Sequence, residues 1–148
     1  MKARILIVDD ETAIRNSLAR HYRLKGYEAE TADNGISALA KLAEKPFQVV
    51  ISDIIMPVMD GIELLRRIRL EYPMTRVVMI TGYVTLENAL ACLRNNADTC
   101  VFKPLEDLGE LDRAVEKAVA YLEHWKKKLM VLKGMKPSAE GDAGNGND

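Results

Sequence analysis

A chain of 148 residues, 48% of them hydrophobic, is long enough for one ordinary domain with a sizeable core and a little to spare. Its formal net charge of −1 removes any bulk electrostatic case for binding nucleic acid or an anionic membrane. No apolar run reaches the roughly 18–20 residues that span a bilayer, and Met1–Ile5 enters a strand at once with no signal-peptide pattern.

Ile5-Leu6-Ile7-Val8 is a continuous apolar run of the kind buried on both faces of a parallel sheet, and it stops on Asp9-Asp10-Glu11. A helix is predicted from Glu11 or Thr12 to about Lys25, with Ile14, Leu18 and Tyr22 on one face and Gly26 ending it. Tyr27 to Thr31 alternates loosely and reads as a short strand. Asn34-Gly35 opens the next helix, whose stripe is Ile36, Leu39, Ala40 and Ala43, and Pro46 stands before a strand from Phe47 to Ser52. That strand runs into Asp53, and a proline, Pro57, follows four residues later. Asp60-Gly61 precedes a helix from Ile62 to Glu71 carrying Leu64, Leu65 and Ile68, which Pro73 stops. A fourth strand, Arg76 to Ile80, ends on Thr81-Gly82. A helix from about Thr85 to Asn95 carries Leu86, Ala89, Leu90 and Leu93. The fifth strand, Thr99 to Phe102, ends on Lys103-Pro104.

Strand and helix therefore alternate five times over short connections. This predicts an α/β fold, a doubly wound five-stranded parallel sheet with helices on both faces. The three most continuous apolar strands, starting at residues 5, 47 and 77, belong at its centre. The last helix begins near Glu106 and meets no breaker until Gly134. Leu108, Leu111, Val115, Ala118, Leu122, Trp125, Leu129 and Leu132 fall at alternating steps of three and four, an a/d heptad stripe. Residues 1–122 are thus read as the domain, 123–134 as an extension of the last helix, and 135–148, rich in Gly, Asn and acid, as a disordered tail.

In such folds ligands sit outside the carboxyl ends of the strands. Those ends deliver Asp9-Asp10, Asp53, Thr81 and Lys103, while the second strand delivers nothing obvious. Each piece alone has an ordinary explanation: Asp9-Asp10-Glu11 can cap a helix, Thr81-Gly82 can be a turn, and Lys103-Pro104 can be surface. Their convergence on one edge argues for chemistry. Three carboxylates brought together repel, and a hard divalent cation such as Mg²⁺ relieves the repulsion while leaving room for a phosphate oxygen. With a lysine and a hydroxyl opposite, a carboxylate nucleophile is placed for in-line attack on a phosphoryl group.

Val8-Asp9-Asp10-Glu11, the segment Asp53-Ile54-Ile55-Met56-Pro57-Val58-Met59-Asp60-Gly61, Thr81-Gly82 and Phe102-Lys103-Pro104 together resemble the receiver domain of bacterial two-component response regulators, over about residues 3–122. The resemblance implies a flavodoxin-like strand order 2-1-3-4-5, and a signalling domain rather than an enzyme in the usual sense. By it, Asp53 is the phosphoacceptor, charged by a sensor histidine kinase or phosphotransfer protein. Asp10, Asp53 and the backbone carbonyl of Ile55 hold Mg²⁺, with Asp9 acting through metal-bound water. Thr81 and Lys103 move toward the new phosphoryl group and shift the face made by the fourth helix and fifth strand.

Two positions depart from the family pattern. Cys100 stands three residues before the lysine, where the family usually has an aromatic switch residue. Tyr83 either takes over part of that role or is simply a loop tyrosine above the site. Ile55 is apolar and cannot orient an attacking water, so autodephosphorylation is expected to be slow to moderate. Cys92 and Cys100 fit no CxxC or metal spacing; they read as reduced core thiols of a cytoplasmic protein, with a redox role for Cys100 as the lesser alternative.

The a/d stripe favours a homodimer through residues 108–132, with Lys126-Lys127-Lys128 and Lys133 as a solvated flank; the alternatives are that its far end folds back on its own domain or docks on a partner. No reading head for nucleic acid follows, so output is expected through contact with a downstream protein. The chain reads as a stand-alone regulator ending naturally; the alternative is a receiver module cut from a longer regulator. A constitutive binding module fits less well, because the acid, threonine and lysine set is intact. The alternative from another class is a Mg²⁺-dependent phosphatase of the haloacid dehalogenase type. Its D-x-D nucleophile motif is met here only by Asp9 and Glu11, and a cap insertion is lacking.

Overall fold

The computed structural model of the protein describes residues 3–135. Apart from Met135, the stretch expected to be a disordered tail lies outside the described residues. Five strands alternate with five helices: β1 (Arg4–Val8), α1 (Thr12–Leu24), β2 (Glu28–Ala32), α2 (Gly35–Glu44), β3 (Val49–Asp53), α3 (Gly61–Glu71), β4 (Arg76–Thr81), α4 (Leu86–Arg94), β5 (Thr99–Phe102) and α5 (Gly109–Met135). The strands form one parallel sheet, as the sequence predicts, in the order β2-β1-β3-β4-β5 that the family resemblance implies.

Successive side chains of a strand point to opposite faces, and both faces are covered. Leu6, Val8, Val50, Val77 and Met79 pack with Ala38 and Leu42 of α2, Leu64, Leu65 and Ile68 of α3, and Cys92 of α4. Ile5, Ile7, Val49, Ile51, Val78 and Ile80 pack with Leu18, Ala19 and Tyr22 of α1 and with Leu111, Val115 and Ala118 of α5. Each such aliphatic side chain contributes about 1.5–3 kcal/mol by leaving water. Three helix starts are capped by side chains that accept a backbone N–H: Asn34 from Ser37 at 2.9 Å, Asp60 from Glu63 at 2.8 Å, and Thr85 from Asn88 at 3.1 Å. His21 of α1 and Asp112 of α5 meet at 2.9 Å and tie those two helices together.

Boundaries differ from the sequence reading in two informative places. β3 starts at Val49 rather than Phe47: Gln48 still bonds through its backbone to Arg4 and Arg76 at 2.9 Å each, but the Phe47 carbonyl accepts the Thr75 hydroxyl at 2.9 Å instead of a neighbouring strand's amide. The final helix starts at Gly109 rather than Glu106, because Asp107 accepts the Gly109 N–H at 2.8 Å and turns the chain there.

The heptad stripe divides in two. Leu111, Val115 and Ala118 are consumed by the protein's own core. Beyond Leu122 the helix leaves the body, and Trp125, Leu129 and Leu132 are 43%, 54% and 64% exposed. Under this extension lies a groove of about 610 Å³, lined by Pro46, Phe47, Tyr72, Leu122, Leu129 and Met130 among others. No helix among the described residues is long and apolar enough to cross a membrane.

Candidate functional site

The parallel ladder ends β1, β3 and β4 level with one another. Val8 pairs with Ser52 and Asp53 with Ile80, so Asp9, Asp53 and Thr81 leave the sheet side by side. The loop after β3 is tight. The Ile54 N–H donates to the Ile80 carbonyl at 3.1 Å and the Gly61 N–H to the Ile54 carbonyl at 2.7 Å, pinning both ends of the turn. Only glycine fits at 61, since a Cβ there would run into the Asp53 carbonyl oxygen. Within the loop Val58 has φ +74°, a left-handed conformation that is strained for a β-branched residue.

Asp9 is fully buried, Asp53 nearly so, and Asp10 exposed; each offers a carboxylate oxygen within 4.8 Å of the others. Lys103 reaches in from the end of β5. Its Nζ lies 3.0 Å from Asp53 Oδ2, 3.1 Å from Asp9 Oδ2 and 3.1 Å from Glu11 Oε1. Burial works against the Lys103 charge, but hydrogen bonds to Asp53 and Glu11 and the charges of Asp53 and Asp9 outweigh it and raise its pKa. Burial pushes the Asp9 carboxyl above the usual carboxylate range, and the Asp53 charge adds to this. The Glu11 amide and Lys103 pull the other way without cancelling it. Asp9 Oδ1 accepts the Glu11 N–H at 2.8 Å. Asp9 Oδ2 is buried without an aligned hydrogen bond even though the lysine ammonium is close. An orphaned carboxylate oxygen beside two more carboxylates is a donor set that fits a hard divalent cation.

Thr81 is buried, and its hydroxyl is engaged with its own turn: it accepts the Tyr83 N–H at 2.9 Å and donates to the Tyr83 carbonyl at 3.4 Å. The Tyr83 ring is exposed rather than folded over the acids. Ile55 is half exposed on the loop beside Asp53. Cys100 sits one strand-step away, on β5 opposite Met79, and packs against the core cluster that contains Cys92. The Lys103–Pro104 peptide is cis.

Two residues of the site escape a motif reading. Glu11 stands at the N-cap of α1 yet makes no capping hydrogen bond; its side chain goes to Lys103, 92 positions away. Arg15 donates from its guanidinium to the Asp9 carbonyl at 2.8 Å and so fixes the loop that carries the two aspartates. The only local signal for Arg15 is its position on the first turn of the helix that follows them.

Residues 5–116 match the model of the response regulator receiver domain. The chain belongs to that family. This receiver is 41% identical over 129 residues to the regulatory protein AtoC of Escherichia coli K12, an alignment covering 87% of this chain and 28% of AtoC. It is 34% identical over 140 residues to the DNA-binding transcriptional regulator NtrC of the same organism, covering 94% of this chain and 30% of NtrC. The chain thus spans less than a third of the length of these relatives. A CheY-like receiver domain from Methanospirillum hungatei JF-1 superposes with a TM-score of 0.76 at 36% identity, over 86% of this chain and 99% of that one. The response regulator TrrA of Thermotoga maritima, solved in complex with Mg²⁺ and BeF, superposes with a TM-score of 0.71 at 36% identity, over 80% of this chain and 99% of that one. The protein is a receiver domain of two-component response regulators, a signalling domain.

Proposed function

We propose that this receiver accepts a phosphoryl group on Asp53 from a sensor histidine kinase or phosphotransfer protein. Asp9, Asp10, Asp53 and the backbone carbonyl of Ile55 would hold Mg²⁺, which supplies charge neutralisation for the incoming phosphoryl oxygens. The observation that carries the reading is the meeting of Asp53 and Lys103 at 3.0 Å beside an unsatisfied Asp9 oxygen. One Asp53 oxygen attacks phosphorus in line, and the bond to the donor's leaving group breaks. Lys103 then exchanges its Asp53 contact for an equatorial phosphoryl oxygen. The Thr81 hydroxyl, freed from Tyr83, donates to another. The same machinery supports self-phosphorylation from a small phosphoryl donor and slow autodephosphorylation, since the Ile55 side chain offers no group to orient water.

The reading places 1–122 as the receiver body, 123–134 as a helical extension and 135–148 as a tail, in the cytoplasm and without membrane insertion. Output passes by protein contact to a downstream target, with no direct hold on nucleic acid. A second copy of the chain is the proposed cover for Trp125, Leu129 and Leu132, which narrows the pairing surface from residues 108–132 to the part beyond Leu122. The deciding experiment is incubation with acetyl phosphate and Mg²⁺ followed by intact mass. One phosphoryl gained by the parent and none by Asp53→Asn is expected. Catalytic turnover that persists in Asp53→Asn would replace the receiver chemistry with a phosphatase.

A further inference from the structure

Glu11 stands where a helix cap belongs and does no capping. Its backbone is extended at the head of α1, its side chain makes no bond to the helix, and the first turn of α1 holds no acid. Its N–H goes to Asp9 Oδ1 at 2.8 Å and its carbonyl accepts the Arg15 N–H at 3.0 Å, so the backbone is fixed on both sides. The carboxylate turns to Lys103 Nζ at 3.1 Å. Lys103 also contacts Asp9 and Asp53, but its three acids are not alike. The side chains of Asp9 and Asp53 are 0% and 8% exposed, and that of Glu11 is 60% exposed. Glu11 is therefore the acid on the solvent side of the ammonium, where a phosphoryl donor coming from water meets the site.

We infer that Glu11 is a specificity-determining residue. It favours N-phosphoryl donors whose nitrogen is protonated over doubly anionic acyl phosphates. The inference rests on the reading of Asp53 as acceptor with a divalent cation on Asp9, Asp10 and Asp53. That cation and Lys103 balance the three aspartates in charge, and Glu11 is the carboxylate left over. Among the described residues Lys103 is the one cation paired with Glu11. Arg15, one turn along the helix, gives its guanidinium to the Asp9 carbonyl and the Thr12 hydroxyl.

A dianion approaching Asp53 is repelled by the Glu11 charge. A donor with a protonated nitrogen carries one negative charge fewer and is repelled less. The bond changes are otherwise the same. An Asp53 oxygen forms the new bond to phosphorus, and the bond from phosphorus to oxygen or nitrogen breaks. Acetyl phosphate releases acetate; phosphoramidate, already protonated on nitrogen, releases neutral ammonia.

The test follows the initial rate at which the full chain gains one phosphoryl, by intact mass, with saturating Mg²⁺ at neutral pH. The donors are acetyl phosphate, a dianion, and phosphoramidate, a monoanion. Glu11→Gln should react about three-fold faster than the parent with acetyl phosphate and less than about two-fold faster with phosphoramidate, the ordinary reach of an exposed charge. Glu11→Ala, which removes the same charge, should move the same way. In roughly 1 M NaCl the acetyl phosphate gain should shrink, because the Debye length falls to about 3 Å. Equal changes with the two donors, a slower reaction with acetyl phosphate, or a gain indifferent to salt would each overturn the inference while Asp53 remains the acceptor. A parent that takes up no phosphoryl from either donor would remove the receiver chemistry itself, and this inference with it.

Discussion

Helices α3 and α4 follow adjacent strands of the same sheet and are nearly equal in length, yet they are held very differently. α3 buries Gly61, Leu64, Leu65 and Ile68, and its first residue is locked under the Asp53 carbonyl. α4 buries Cys92 and leaves Leu86 and Leu93 in water. The difference separates two tasks. The acids and the lysine sit where the backbone is over-determined, as the proposed in-line attack on phosphorus requires. The neighbouring helix has few buried contacts, which places it among the elements that open at low free-energy cost.

The largest expected effect is a contrast between two chemically identical substitutions. Leu65→Ala, at a fully buried position, should cost ~2–5 kcal/mol in denaturant unfolding. Leu93→Ala, at a position 72% exposed, should stay within ~0.5 kcal/mol. Equal losses would erase the distinction between the two helices. Next comes Lys103→Met. It removes the cation that bridges Asp9, Glu11 and Asp53, and in metal-free buffer at neutral pH it should destabilise by about 1–3 kcal/mol. Thermal melts with added Mg²⁺ should recover most of that loss; no recovery would mean that Asp9, Asp10 and Asp53 do not share a cation site.

Smaller still, and opposite in sign, is Val58→Gly. It frees a β-branched residue from φ +74° and should raise stability by about 1 kcal/mol in the same unfolding assay. A loss would show that the Val58 side chain supports the loop rather than straining it. The smallest change is kinetic. Ile55→Asn introduces an amide beside Asp53 that can orient water, and phosphate release from the phosphorylated protein should quicken several-fold, at less than about 1.4 kcal/mol of barrier. A half-life of only seconds in the parent protein would remove the role given to Ile55.

Much of this arrangement is legible along the chain. Apolar β-branched runs that stop abruptly on Asp9, Asp53, Thr81 and Lys103 define parallel strands and put chemistry at their carboxyl ends, because a buried strand tolerates polar groups only where it leaves the sheet. Local spacing also put helix starts beside Asn34, Asp60 and Thr85, and the structure shows their side chains capping those helices through hydrogen bonds that span three residues.

Other features depend on residues far apart in the chain, and there local pattern has no purchase. Glu11 looks like a cap and becomes a partner of Lys103, because the sheet brings the β5 lysine over the start of α1. The stripe on α5 is periodic from Leu108 to Leu132, but only the sheet's edge decides where it stops being core, just past Leu122. Leu93 sits on an apolar helix stripe and yet lies in water, since α4 rests on the sheet through Cys92 alone among its fully buried residues. Sequence by itself determined the elements, their order and the acid, threonine and lysine set, because those follow from short-range periodicity and strand termination. Tertiary structure alone decided which helix is tight and which is loose, and that Cys92 and Cys100 meet the same core cluster, because burial is a property of what arrives from elsewhere in the chain.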